Sequence, residues 1–137
     1  MAWVFDASIA IAWCIADENT PETEVLLDRL ESEPAFVPNL WHLEIANVLT
    51  MAMRKKARLS VAQRTQFLES IAKAHITVDS LTWSQAWTAI LSLADQYQLT
   101  TYDAAYLELA MRLGVELATL DADLRKAAIK AGVKVIP

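Results

Sequence analysis

Apolar residues fall in short blocks along this chain, and the spacing within each block separates strands from helices. Trp3, Val4 and Phe5 form an apolar, β-prone run that ends at Asp6, and the apolar stretch from Ser8 to Ala16 predicts a buried helix. Pro21, followed by Glu22 and Glu24, opens a second helix to about Leu30, with its acids at the positive end of the helix dipole. Ala35 to Val37 predicts a short extended stretch, and Pro38 with Asn39 starts a long helix from Leu40 towards Lys55. Ser60 caps a helix to about Lys73, Ile76 to Val78 predicts a strand, and Ser84 to Tyr97 predicts a helix that carries Trp83 or Trp87 against the core.

The last third of the chain is more regular. Tyr102 to Leu113 reads as a helix that stops at Gly114, Val115 to Leu120 as a strand, Ala122 to Ala131 as a helix that stops at Gly132, and Val133 to Ile136 as a strand. Both glycines fall where a helix hands over to a strand, a place that calls for a residue tolerant of positive φ. Strands alternating with helices imply an α/β fold, a largely parallel sheet covered on both faces.

Composition narrows this picture. A chain of 137 residues fits one domain. Its 55% hydrophobic content, with 2 glycines and 4 prolines, favours ordered, helix-rich packing over linkers. The apolar runs are too short to span a membrane and no basic leader precedes Asp6, so neither membrane insertion nor export is expected. Cys14 is the single cysteine and reads as a small buried hydrophobe in a reducing cytoplasm. A net charge of -5 argues against a general nucleic-acid binder, so a polyanionic substrate must be met locally. The basic cluster Arg54, Lys55, Lys56 and Arg58 is the local candidate for RNA contact, or else a solvated helix end.

In a parallel sheet ligands bind beyond the carboxyl ends of the strands, which directs attention to Asp6, Asp121 and Asp103. Each also reads as a helix cap, and Thr100 with Asp103 matches a capping box. Glu44 shares a helical face with Leu40, Val48 and Met51, so a carboxylate stands where a hydrophobe is expected. A buried carboxylate needs a cation, a proton or strong donors. Asn47 offers one donor, and the nearest arginine, Arg54, is at the far end of the same helix. Two like charges about 4 Å apart repel by roughly 4 kcal/mol at an effective dielectric of 20, so clustered acids call for a counterion. Mg²⁺ or Mn²⁺ suits an all-oxygen donor set without His or Cys. The only histidines, His42 and His75, form no zinc motif, and there is no nucleophile elbow or phosphate-cradling glycine loop.

Taken in order, FDAS around Asp6, WHLEIANVL around Glu44, TTYDAAYLELA around Asp103 and LATLDADL around Asp121 resemble the PIN-domain toxins of the VapC type over essentially the whole chain. The resemblance implies a three-layer α/β/α sandwich and a Mg²⁺- or Mn²⁺-dependent endoribonuclease. It also implies a dimer or higher oligomer, structured RNA targets such as transfer or ribosomal RNA, and inhibition by a cognate antitoxin that covers the active site. Asp6, Glu44 and Asp103 match the core acids, with Asp121 as the fourth, while Asp123 remains open for that place. Ser8 matches a hydroxyl residue that supports a metal-bound water. The implied reaction is in-line attack of metal-oriented water at phosphorus, leaving a 5′-phosphate and a 3′-hydroxyl.

Two other readings stay open at this point. One is a Mg²⁺-dependent phosphatase with Asp6 as nucleophile, which lacks a second aspartate because position 8 is Ser8. The other is a non-catalytic binding module in which the acids are caps and the apolar surplus forms an interface.

Overall fold

The computed structural model describes residues 1–55 and 58–137; Lys56 of the basic cluster lies outside them. Strand β1 (Trp3–Phe5) leads through α1 (Ala7–Cys14) and α2 (Pro21–Arg29) to β2 (Ala35–Pro38). Helices α3 (Trp41–Arg54) and α4 (Val61–Ala72) connect β2 to β3 (Ile76–Asp79). From there α5 (Thr82–Gln85), a π-helical turn (Ala86–Ile90), α6 (Leu91–Tyr97) and α7 (Thr101–Leu113) lead to β4 (Glu116–Ala118). The chain then runs through α8 (Ala122–Lys130) to β5 (Val135–Ile136).

Local chemistry explains most boundaries. Thr20 and Ser60 each form a capping box with the residue three positions on. Gly114 adopts the left-handed conformation (φ 66°) that ends α7 and lets the chain reverse into β4. Two strands are shorter than the apolar runs predict: β4 covers only Glu116–Ala118 and β5 only Val135–Ile136. Beyond Ala118, the Leu120 amide leaves the ladder and donates to the Ser8 hydroxyl at 2.9 Å.

The five strands are all parallel, in the order β3-β2-β1-β4-β5. Right-handed crossovers from β1 outward through β2 to β3 place α1–α4 on one face. The return from β3 to β4, and then to β5, places α5–α8 on the other, which gives three α/β/α layers. Packing agrees: α1 lies against α2, α3 and α4, whereas α7 lies against β1, β2, β4, α6 and α8. Central strand β1 is wholly buried, and each of its three large side chains contributes about 1.5–3 kcal/mol through burial. At the amino ends of the strands, Arg29 bridges Glu33 and Glu116 at 2.6 and 2.8 Å and stacks over Trp3, while Lys134 also reaches Glu116.

The expectation that Trp83 or Trp87 packs in the core is incorrect, since they are 73% and 90% exposed. The π-helical turn widens the helix so that Thr82, Ala86, Ile90 and Ala94, four residues apart, face inward, which leaves both tryptophans one position past that row. Cys14 is half-buried at the edge of the core rather than inside it, and burial raises its thiol pKa. Among the described residues no helix is long and apolar enough to cross a membrane.

Candidate active site

The connection from β1 leaves towards β2 and the connection from β4 leaves towards β5, so the order of strands reverses between the adjacent β1 and β4. A crevice opens at such a switch point, beyond the carboxyl ends of the two strands. Asp6 follows β1 there and is buried. Its Oδ1 accepts from the Ser8 hydroxyl (2.5 Å), the Ser8 amide (3.1 Å) and the Ile9 amide (3.4 Å), and so caps α1. Its Oδ2 accepts from the Thr119 hydroxyl at 2.6 Å. A carboxylate offers about four lone pairs, so Oδ2 keeps one free. Thr119, fully buried after β4, also accepts from the Asp121 amide at 3.0 Å.

The remaining acids arrive from helix starts. Asp121 caps α8 through the Leu124 amide at 2.8 Å, and Asp123 lies exposed in the first turn of that helix. Asp103 lies in the first turn of α7, but the cap there is Thr100, which accepts from the Asp103 amide at 3.1 Å. Among the described residues no backbone amide donates to the Asp103 carboxylate, so the capping-box role considered for it is not filled. Glu44 sits in the first turn of α3, half-buried. The inward row of α3 is Trp41, Ile45, Leu49 and Ala52, so Glu44 flanks the core instead of facing it, and the core stripe expected through Met51 is displaced by one position. The donor to Glu44 is the Tyr106 hydroxyl and not Asn47, which is exposed.

Electrostatics tie these side chains together. Burial raises the pKa of Asp6 to about 6 against the lowering effect of its hydroxyl and amide donors. Asp103 also rises to about 6, through burial and then through repulsion by Asp121, Asp6 and Asp123. Glu44 is raised by burial, and the nearby Asp103 adds to that shift while Tyr106 opposes it. Tyr106 is pushed far up by burial and by its bond to Glu44, so it remains a donor. Among the described residues none of these acids meets a lysine or arginine.

As the side chains stand, no three His, Cys, Asp or Glu among the described residues are close enough to hold one ion. The donors still fit Mg²⁺ or Mn²⁺ in kind. They are hard oxygens, one lone pair of buried Asp6 is unused, and Mg²⁺ keeps several waters and takes only one or two direct carboxylates.

Of the basic cluster, the described residues Arg54, Lys55 and Arg58 are not brought to this crevice. Arg54 lies ten residues along α3 from Glu44, roughly 15 Å at the helical rise, and Lys55 follows it. Arg58 pairs with Asp17 and Glu18. His42 and His75 are exposed, and His42 packs edge-on against Trp41. Two residues that shape the site were missed from sequence, Thr119 and Tyr106. Each had a signal: Thr119 is two positions before Asp121 at a strand end, and Tyr106 is one helical turn after Asp103 on the same face.

No curated protein sequence matches the chain. Among solved structures, PAE2754 from Pyrobaculum aerophilum is similar with a TM-score of 0.71 at 19% identity, over 98% of this chain and 89% of that one. VapBC2 from Rickettsia felis, bound to a DNA fragment from its promoter, is similar with a TM-score of 0.67 at 11% identity, over 98% and 97%. FitAcB from Neisseria gonorrhoeae is similar with a TM-score of 0.52 at 16% identity, over 98% and 96%. At such identities these likenesses show a shared fold. The sequence model for the PIN domain matches residues 3–130, nearly the whole length, and the chain therefore belongs to the PIN-domain family.

Proposed function

We propose that this chain is a Mg²⁺- or Mn²⁺-dependent endoribonuclease and the toxin of a toxin–antitoxin pair. PIN domains are nucleases in general. The observation that supports this chemistry here is the group of acids at the switch point, with raised pKa values and no cationic partner among the described residues. The structural likeness to VapBC2 and FitAcB supports an antitoxin partner and a cytoplasmic setting.

In this reading Asp6, Glu44, Asp103 and Asp121 hold the ion, and Asp123 stands beside them as an outer acid. When bound there, Mg²⁺ or Mn²⁺ would supply Lewis acidity, making a nearby water more acidic and offsetting negative charge on the departing oxygen at phosphorus. Asp6 is fixed for this by Ser8 and Thr119, and Glu44 by Tyr106. The Ser8 hydroxyl donates to Asp6 and accepts from the Leu120 amide, which leaves one lone pair to accept from an ordered water. The products are a 5′-phosphate and a 3′-hydroxyl. The phosphatase alternative is disfavoured because a nucleophilic Asp6 is buried, with its Oδ1 accepting three bonds.

The homodimer in this reading uses the exposed face of Trp83, Trp87 and Leu91, an apolar stripe that a second copy covers. A monomer at micromolar concentration in analytical ultracentrifugation rejects the dimer. For the function, wild type and Asp6→Asn are induced separately in a bacterial host, and new 5′-phosphate RNA ends are mapped. Discrete ends seen only with wild type, and reproduced in vitro with Mg²⁺ or Mn²⁺, are expected, and they name the target, transfer or ribosomal RNA included. Identical maps at matched protein levels overturn the ribonuclease, and trapping a phosphoryl adduct on Asp6 revives the phosphatase.

A further inference from the structure

A cleft of about 570 Å³ runs between the carboxyl end of α6 and the exposed side of α8. Gln96, Tyr97 and Gln98 line one wall, and Asp123, Lys126 and Lys130 the other. It shares Asp123 with the acid group, since α8 begins at the Asp121 cap two residues earlier. From Asp123 to Lys130 the wall extends for roughly 10 Å at the helical rise.

The cations on that wall are set apart from the other described ones by pairing or by place. Arg29, Arg58, Arg112 and Lys134 are held by carboxylates, and Arg125 donates to the Pro137 carbonyl. Lys126 and Lys130 are exposed, one helical turn apart, and make no ion pair among the described residues. In a chain of net charge -5 they are positive charges on the element that also carries Asp121 and Asp123. Arg54, Lys55, Arg64 and Lys73, by contrast, lie at the far end of α3 or on and after α4. A basic track beside an aromatic ring and amide side chains is the combination that holds single-stranded nucleic acid: cations on phosphates, and a ring and amides for the bases.

We propose that this cleft seats the single-stranded RNA flanking the scissile phosphate, with Lys126 and Lys130 each neutralising one backbone phosphate and Tyr97 and Gln98 facing the bases. The proposal rests on the ribonuclease reading for its orientation towards the acids, but binding tests it separately. The probe is a fluorescein-labelled single-stranded RNA of about 20 nucleotides, read by anisotropy in EDTA so that cleavage plays no part. Each phosphate contact on a single strand contributes about 0.7 to the slope of log affinity against log salt between roughly 50 and 200 mM, so Lys126→Glu/Lys130→Glu is expected to flatten the slope by about 1.4. Affinity is expected to fall about tenfold or more, and Lys126→Arg/Lys130→Arg to retain both affinity and slope. Arg64→Glu/Lys73→Glu, with the same change in net charge, is expected to bind as wild type does.

Equal affinity and slope in wild type and the cleft variant overturn the proposal, as does an equal loss in the control variant. So does an absence of RNA binding by wild type. Failure of wild type to cleave RNA with Mn²⁺, while the cleft variant still loses binding, overturns the ribonuclease reading and leaves the RNA cleft standing. Unchanged circular dichroism melting of the exposed-lysine variants confirms that the fold is intact.

Discussion

Asp6 and Asp79 both stand at the carboxyl ends of parallel strands in one sheet, and their surroundings treat them in opposite ways. Asp79, the last residue of β3, accepts two bonds from the Arg112 guanidinium, at 3.1 and 2.8 Å, and one from the Thr82 hydroxyl at 2.9 Å. Burial pushes its pKa up, but Arg112 and Thr82 outweigh that and hold it below the ordinary carboxylate value. Asp6, after β1, has only hydroxyl and amide donors, and burial prevails. Arg112 also binds Glu108, so one cation satisfies two carboxylates at β3, while among the described residues none serves Asp6, Glu44, Asp103, Asp121 or Asp123 around β1 and β4. One strand end is neutralised by the protein itself, and at the other the proposed function places an ion. A charge deficit of that kind points to a site more directly than the number of acids does, because paired acids are ordinary structural parts.

The most demanding break of this contrast is to remove a negative charge on the unpaired side. Asp103→Asn is expected to lower Mn²⁺-supported RNA cleavage by more than about 100-fold, since even groups one step removed from a metal cost about 10–100-fold. A loss under about tenfold in steady-state cleavage would place Asp103 outside the ion-holding set.

The second break uses pH, and the two strand ends have opposite signs. The folded pKa of Asp6, about 6, lies above its ordinary 3.8, so between these values the native state holds more protons than the unfolded one. Stability of the metal-free protein therefore falls as pH rises from about 4 to 6, by about 3 kcal/mol from Asp6 alone. Asp79 behaves conversely: its contribution is present above pH 3.8 and is lost as pH drops through its lowered pKa. Urea midpoints across pH 4 to 7 are expected to decline without metal, to decline less in Asp6→Asn because Asp103 and Glu44 remain, and to recover when Mn²⁺ is added. A rising midpoint over that range in metal-free wild type contradicts the charge deficit.

Converting the paired end into an unpaired one sharpens the comparison further. Arg112→Ala strands Asp79 and the buried Glu108, and is expected to cost about 2 kcal/mol, reduced from the buried-pair value because Arg112 is partly exposed. Chemical denaturation measures the cost, and the fraction of cleavage activity per folded molecule is expected to stay within about twofold. The smallest effect is expected for Tyr106→Phe, which removes only the donor to Glu44. Mn²⁺ affinity by calorimetry should weaken about tenfold, at the lower end for a group that orients a metal-holding carboxylate. Unchanged affinity would mean that Glu44 does not reach the ion.

Much of the site was legible because strand ends and helix caps are local. Asp6 and Asp121 follow or approach from strands that a run of three apolar residues announces, and Thr20, Ser60 and Gly114 mark helix ends by their own chemistry. A cap and a candidate site role do not exclude each other, since Asp6 caps α1 with one oxygen and keeps a lone pair of the other. Partner choice was not legible. Thr119 meets Asp6 across 113 positions and Tyr106 meets Glu44 across 62, and only the β1–β4 pairing and the docking of α7 set those distances. The two tryptophans were misplaced for a different reason: the wheel assumed 3.6 residues per turn, and a single π-helical turn shifts the phase by a position. The same sensitivity displaced Glu44 from the core row of α3, where neighbouring faces differ by one residue.

Strand β1 lies at the centre of the sheet, and its partner β4 is made more than a hundred residues later. During synthesis, amino-terminal segments leave the ribosome first, and contacts that close long loops form last. Asp6 thus waits without Thr119, and Asp103 without Asp121, until nearly all of the chain has emerged. In the ribonuclease reading proposed above, the acid group would therefore stay incomplete on the nascent chain, and an inhibitor would have only finished molecules to intercept.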